Sequence, residues 1–172
     1  YQFSHEFTHI VINHDHPRSG ANHWINEAFC EAISCHSLKV MGKEWKTHPP
    51  YGNWKSYAKH LDSYADRILD PKKAKPEGME FAAWFEKNET ALRLGKRHPK
   101  YDLYKYVAYQ FYQVIQKDPN QLVALVYLNE GLESQALSTR DYLSRWKGAL
   151  PRENRSFADQ ISGLLGVTLG DL

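Results

Sequence analysis

The sequence predicts an all-α fold, and three observations carry that prediction. Apolar residues recur at helical spacing in nearly every segment. Turn and capping signals at Gly42, Asp70-Pro71, Gly95 and Asp118-Pro119 close those segments. Strand candidates are few, and only VALVYL, Val123 to Leu128, is apolar enough to be ambiguous.

The elements follow in chain order. Phe3 to Asn13 carries a stripe of Phe3, Phe7, Ile10 and Val11. DHPRSGAN, Asp15 to Asn22, is turn chemistry and forms a loop. Trp24 to Met41 is an apolar-rich helix with Gly42 as its expected C-cap. Trp54 to Leu69 repeats Trp54, Tyr57, Ala58, Leu61, Tyr64, Ala65 and Ile68, an amphipathic helix that Asp70-Pro71 stops. The basic stretch PKKAKPEG is a surface loop whose lysines are solvated. Met79 to Leu94 is a helix closed by Gly95, and aromatic-rich Tyr101 to Lys117 is broken by Asp118-Pro119. Gln121 to Leu128 reads as buried helix, Thr139 to Leu150 as a helix capped by Thr139, and Ser156 to Leu165 as the last helix.

At 172 residues the chain is long enough for one domain with a proper core. Its 42% hydrophobic and 24% charged fractions are those of a globular protein, and a net charge of +2 points to neither nucleic acid nor an anionic membrane. No apolar run approaches the roughly 20 residues that span a bilayer. The chain opens at Tyr1 with no visible signal peptide, and its start reads as the cut edge of something larger. Cys30 and Cys35, five apart on one expected helix, point about 140° away from each other. They are expected as small buried residues, not as a disulfide.

The chemistry is concentrated near the start. HEFTH, His5 to His9, places two histidines four apart on one helix face, where two imidazoles can converge on one zinc ion. Glu6 beside them can act as general base on zinc-bound water. A zinc hydrolase also needs a third protein ligand. Glu27, in WINEAFCEA, and Asp15 are the two candidates. A compact HExxHxxGxxH/D arrangement through Asp15 needs glycine where this chain has β-branched Ile12, so Asp15 ranks second. Glu31, one turn beyond Glu27, can accept the free N–H of a liganding imidazole. Metal and histidine partners also compensate the repulsion between the two carboxylates.

HEFTH followed by a loop and then W-I-N-E-A resembles the gluzincin metallopeptidases, in which a second helix bearing Asn-Glu-Ala follows the HExxH helix. The INEA stretch with an acid four residues on looks like thermolysin. The W-x-N-E context and helical tail look more like the aminopeptidase N and peptidase MA-like groups. The likeness is strong over residues 3 to 31 and architectural beyond them. It implies His5, His9 and Glu27 as Zn2+ ligands, Glu6 as base, Glu31 as a carboxylate behind a liganding histidine, and Asn26 as a hydrogen-bonding support. The loop between ligands is a residue or two shorter here than in those relatives.

The resemblance also implies a tyrosine that stabilises the oxyanion of peptide hydrolysis. In YDLYKYVAYQFY, Tyr104 ranks first and Tyr106 second, although the family's Lys-Gly after that tyrosine is absent. His14, His16 and His23 flank the expected cleft mouth. The expectation is therefore a helical metallopeptidase domain over 1–172, with metal-binding helices in 1–42, a supporting bundle in 51–172 and no upstream β-sheet. Its substrate is a peptide or protein, and the family setting is periplasmic or secreted. The alternatives are a non-catalytic interaction module derived from such an enzyme, or a zinc hydrolase of non-peptide substrates.

Overall fold

In the computed structural model, which describes residues 1–12, 20–70, 78–95, 103–130 and 137–169, every regular element is helical and no strand occurs among the described residues. The α-helices are α1 (Gln2–Val11), α2 (His23–Glu44), α3 (Ala58–Ile68), α4 (Phe81–Arg93), α5 (Leu103–Lys117), α6 (Thr139–Ala149) and α7 (Arg155–Leu164). Among the described residues four 3₁₀ stretches accompany them, at Gly20–Asn22, Gly52–Tyr57, Pro119–Tyr127 and Arg152–Asn154. None of the described helices is long and apolar enough to cross a membrane. His14, Asp15, His16 and Tyr101 lie outside the described residues, as do most of the two predicted loops.

Helix α2 is the axis of the fold. It is buried on almost every side through Trp24, Ile25, Ala28, Phe29, Cys30, Ala32, Cys35 and Leu38, because α1, α3 and α5 all pack on it. Phe29 centres the aromatic core, 4.5 Å from the Phe111 ring and edge-on to Trp146 at 5.9 Å. Trp146 satisfies its indole N–H on the Ala124 carbonyl at 2.9 Å. Each such side chain contributes about 1.5–3 kcal/mol through burial.

Several local expectations are corrected. Gly42 does not cap α2, which runs on to Glu44. A Cβ at Gly42 would lie 3.1 Å from the Ala58 carbonyl oxygen and 3.2 Å from the Asp62 nitrogen, so glycine is needed there for the close approach of α3. Thr139 is not the cap of α6. Ser138 is, its hydroxyl accepting from Asp141 N at 3.1 Å, while the buried Thr139 hydroxyl donates to Glu89 at 2.5 Å. Residues 119–127 are 3₁₀ and not α-helical. Leu122, Leu125 and Leu128 recur every third residue facing inward, and Val123 and Val126 face out, as a three-residue turn requires. Gly95 does close α4, with φ of 63°.

The stripe on α1 is also not what docks that helix. Phe3, Phe7 and Ile10 are 81%, 53% and 75% exposed. Helix α1 meets α2 through the opposite side, which carries His5, Thr8 and His9, with Ile12 buried just beyond. The polar face of α1 therefore lies inside.

Candidate metal centre

Two anchors flank the candidate site: one holds the start of α2, and the other ties the end of α1 to α2. The first is Asn22, which caps α2 in position though not by its side chain. Its amide donates to the Leu137 carbonyl at 2.8 Å and its oxygen accepts from Arg93 at 3.0 Å. The second is a buried polar network. Asn129 donates to the Ile12 carbonyl at 2.7 Å, just past α1, and approaches the Asn26 oxygen at 3.4 Å. The Tyr142 hydroxyl lies 2.7 Å from the Asn129 oxygen and 3.0 Å from that of Asn26. Asn26 is fully buried within this network.

Between these anchors the predicted ligands converge. His5 Nε2 lies 3.5 Å from Glu27 Oε2, and His9 Nε2 lies 3.4 Å from Glu27 Oε1. Two ligand atoms of one tetrahedral zinc stand about 3.3–3.4 Å apart, given bonds near 2.0–2.1 Å. Two imidazoles and a carboxylate on adjoining helices are a zinc-type donor set, each histidine standing near that spacing from its own Glu27 oxygen. Glu31 comes close but is shared: its Oε2 is 3.9 Å from His5 Nδ1, too long for a hydrogen bond, and it accepts one from the Tyr1 hydroxyl. His5 Nδ1 is buried without a hydrogen-bond partner. The Glu31 carboxylate lies on that side of the ring.

Cys30 offers a competing third donor. Its sulfur is 3.3 Å from His9 Nδ1, and ligand atoms of His5, His9 and Cys30 all lie within 4.8 Å of one another. A metal takes one nitrogen of each ring, and the Nε2 atoms of both histidines face Glu27. The thiol is fully buried, and that burial, followed by the charges of Glu27, Glu6 and Glu31, pushes its pKa up. Cys30 fits better as the partner of the other ring nitrogen of His9.

The electrostatics agree with a paired site. Glu27 is held well below the usual carboxylate range, first by its hydrogen bond from His23 and next by the neighbouring His5 imidazole. His5 is raised, chiefly by Glu27 and against the lowering effect of burial. Burial and then Glu31 raise the Tyr1 phenol.

Glu6 is exposed on α1 beside His5, and its charge contributes to raising that histidine. Tyr104 is partly buried against the core, with its hydroxyl toward Gly95, where a Cβ would lie 3.7 Å away. Tyr106 is core: 1% exposed and edge-on to Trp84 at 4.7 Å, it is removed as an oxyanion donor. Sequence reasoning missed Tyr1 and the metal-side contact of Cys30, and it gave His23 only a place at the cleft mouth. The signal was present, since Tyr1 precedes His5 by four residues, His23 precedes Glu27 by four and Cys30 follows it by three.

No protein-family model matches this chain, and comparison with curated proteins and with solved structures finds no match either.

Proposed function

We propose that this chain is the metal-binding helical part of a gluzincin-like zinc metallopeptidase, hydrolysing peptide bonds in peptides or proteins. The observation that carries the reading is the convergence of His5 Nε2 and His9 Nε2 on the two oxygens of Glu27, at 3.5 and 3.4 Å. Zinc held by these three residues supplies Lewis acidity toward a carbonyl and makes water acidic enough to lose a proton near neutral pH. The partly exposed side chains leave a side open to water and substrate. Glu6, exposed next to His5 on α1, takes the proton from water on its carboxylate and returns it to the departing amine. Asn26 supports the ligand helices through its network with Asn129 and Tyr142, and Glu31 is the carboxylate behind the His5 imidazole. Tyr104 remains the proposed oxyanion donor, by family resemblance alone.

One observation favours a second reading. His5, His9 and Cys30 also form a compact donor group, which would suit a closed structural ion in a non-catalytic interaction module. Glu6→Gln separates the two. The variant should retain zinc and lose at least about 100-fold in cleavage of a peptide library, with chelator abolishing wild-type cleavage. Cleavage unchanged by Glu6→Gln would remove Glu6 from the chemistry, and a zinc-loaded wild type that cleaves nothing would favour the structural ion.

A further inference from the structure

We propose that His23 is a positioning residue of this centre, donating its Nε2–H to Glu27 Oε1 and so holding the carboxylate toward His5 and His9. The proposal rests on the zinc reading above and extends it to a residue that neither HExxH nor Asn-Glu-Ala contains.

Three imidazole nitrogens surround the one carboxylate, and distance sorts them. His5 and His9 stand 3.5 and 3.4 Å from Glu27, beyond the N–H···O range of about 2.7–3.2 Å and close to the spacing of two atoms on one ion. His23 stands 3.1 Å away, within hydrogen-bond range. Its place in the fold supports the same division. His23 opens α2 one turn before Glu27, so its contact is made within a single helix and does not depend on how α1 docks. The His23 side chain is 44% exposed, against 18% and 15% for His5 and His9, which puts it at the rim of the centre. Its backbone is held as well, because the preceding Asn22 is buried and tied to Arg93 and Leu137.

Without His23 the carboxylate keeps its charge but loses the donor that fixes its rotation. Groups that orient a metal ligand typically contribute about 10–100-fold to metal affinity. Zinc affinity of the full chain, measured by competition with a chromogenic chelator, tests this in wild type, His23→Ala and His23→Gln. His23→Ala should bind zinc about 10–100-fold more weakly with helical content unchanged, and the amide N–H of His23→Gln should restore most of the loss. Unchanged affinity in His23→Ala overturns the proposal, as does a wild-type zinc site containing three imidazoles, which would make His23 a ligand. A wild type that takes up no zinc overturns the centre itself, a result distinct from either of these.

Discussion

Glu27 is where the charges of the two ligand helices meet. Three histidines from two helices face one carboxylate, and its negative charge is stabilised far more than that of a solvated glutamate. A contrasting residue on the same helix is His36, which is half-buried with Nδ1 unpartnered, and whose pKa burial lowers from the ordinary 6.5. The folded imidazole holds its proton less tightly than the unfolded one, so the unfolded chain binds more protons below about pH 6.5. His36 therefore leaves stability intact above that value and reduces it as the pH falls from there toward the folded-state pKa. Urea denaturation of wild type and His36→Leu across that range should show the flatter profile in the variant, and identical slopes would contradict the assignment. His5, Glu6 and His9 were legible as a motif because helical spacing places them together, whereas Glu27 was picked out by Glu31 one turn beyond it and by the family resemblance. Tyr1, His23 and Cys30 stood at the same three- and four-residue offsets, but those residue types serve so many other roles that spacing could not single them out. Which tyrosine reaches the centre depends on packing between distant segments. Tyr1 hydrogen-bonds one site carboxylate, that of Glu31.

Among the elements, the separation of α1 from α2 determines whether the ligands converge. Asn129 holds it, reaching from the end of the 119–127 stretch to the Ile12 carbonyl. Asn129→Ala leaves that buried carbonyl and the Tyr142 hydroxyl short of a partner, and should cost about 1–3 kcal/mol in chemical denaturation. No change in stability would show that the network does not clamp the helices. Two glycines give a paired test of helix packing. Gly42→Ala drives a methyl into the α3 backbone at 3.1–3.2 Å and should destabilise by about 1–3 kcal/mol. Gly163→Ala, in α7 with nothing within 4 Å of the added carbon, should stabilise by about 0.5–1 kcal/mol. Effects of the same sign at both positions would contradict the packing described. The helices themselves were legible from period and stop signals. The role of Gly42 was not, because a close-approach glycine and a capping glycine look alike before the neighbouring helix is placed. The 3₁₀ stretch was readable in principle, since its leucines recur every three residues.

Over the whole molecule, the all-α class followed from the sequence because each helix announces itself locally, whereas the central position of α2 follows from contacts among α1, α3 and α5. That arrangement buries the base of the proposed metal centre, at Asn26 and Cys30, and leaves its rim at His23 more exposed. It also exposes Phe3, Phe7 and Ile10, an apolar row that local periodicity alone would have turned inward. The central claim is that zinc is held by two imidazoles and one carboxylate. X-ray absorption at the zinc edge on the loaded full chain tests it most directly. The expected first shell contains only nitrogen and oxygen at about 2.0–2.2 Å, two of its donors imidazoles. A sulfur scatterer at about 2.3 Å would place Cys30 on the ion in place of Glu27 and contradict the account.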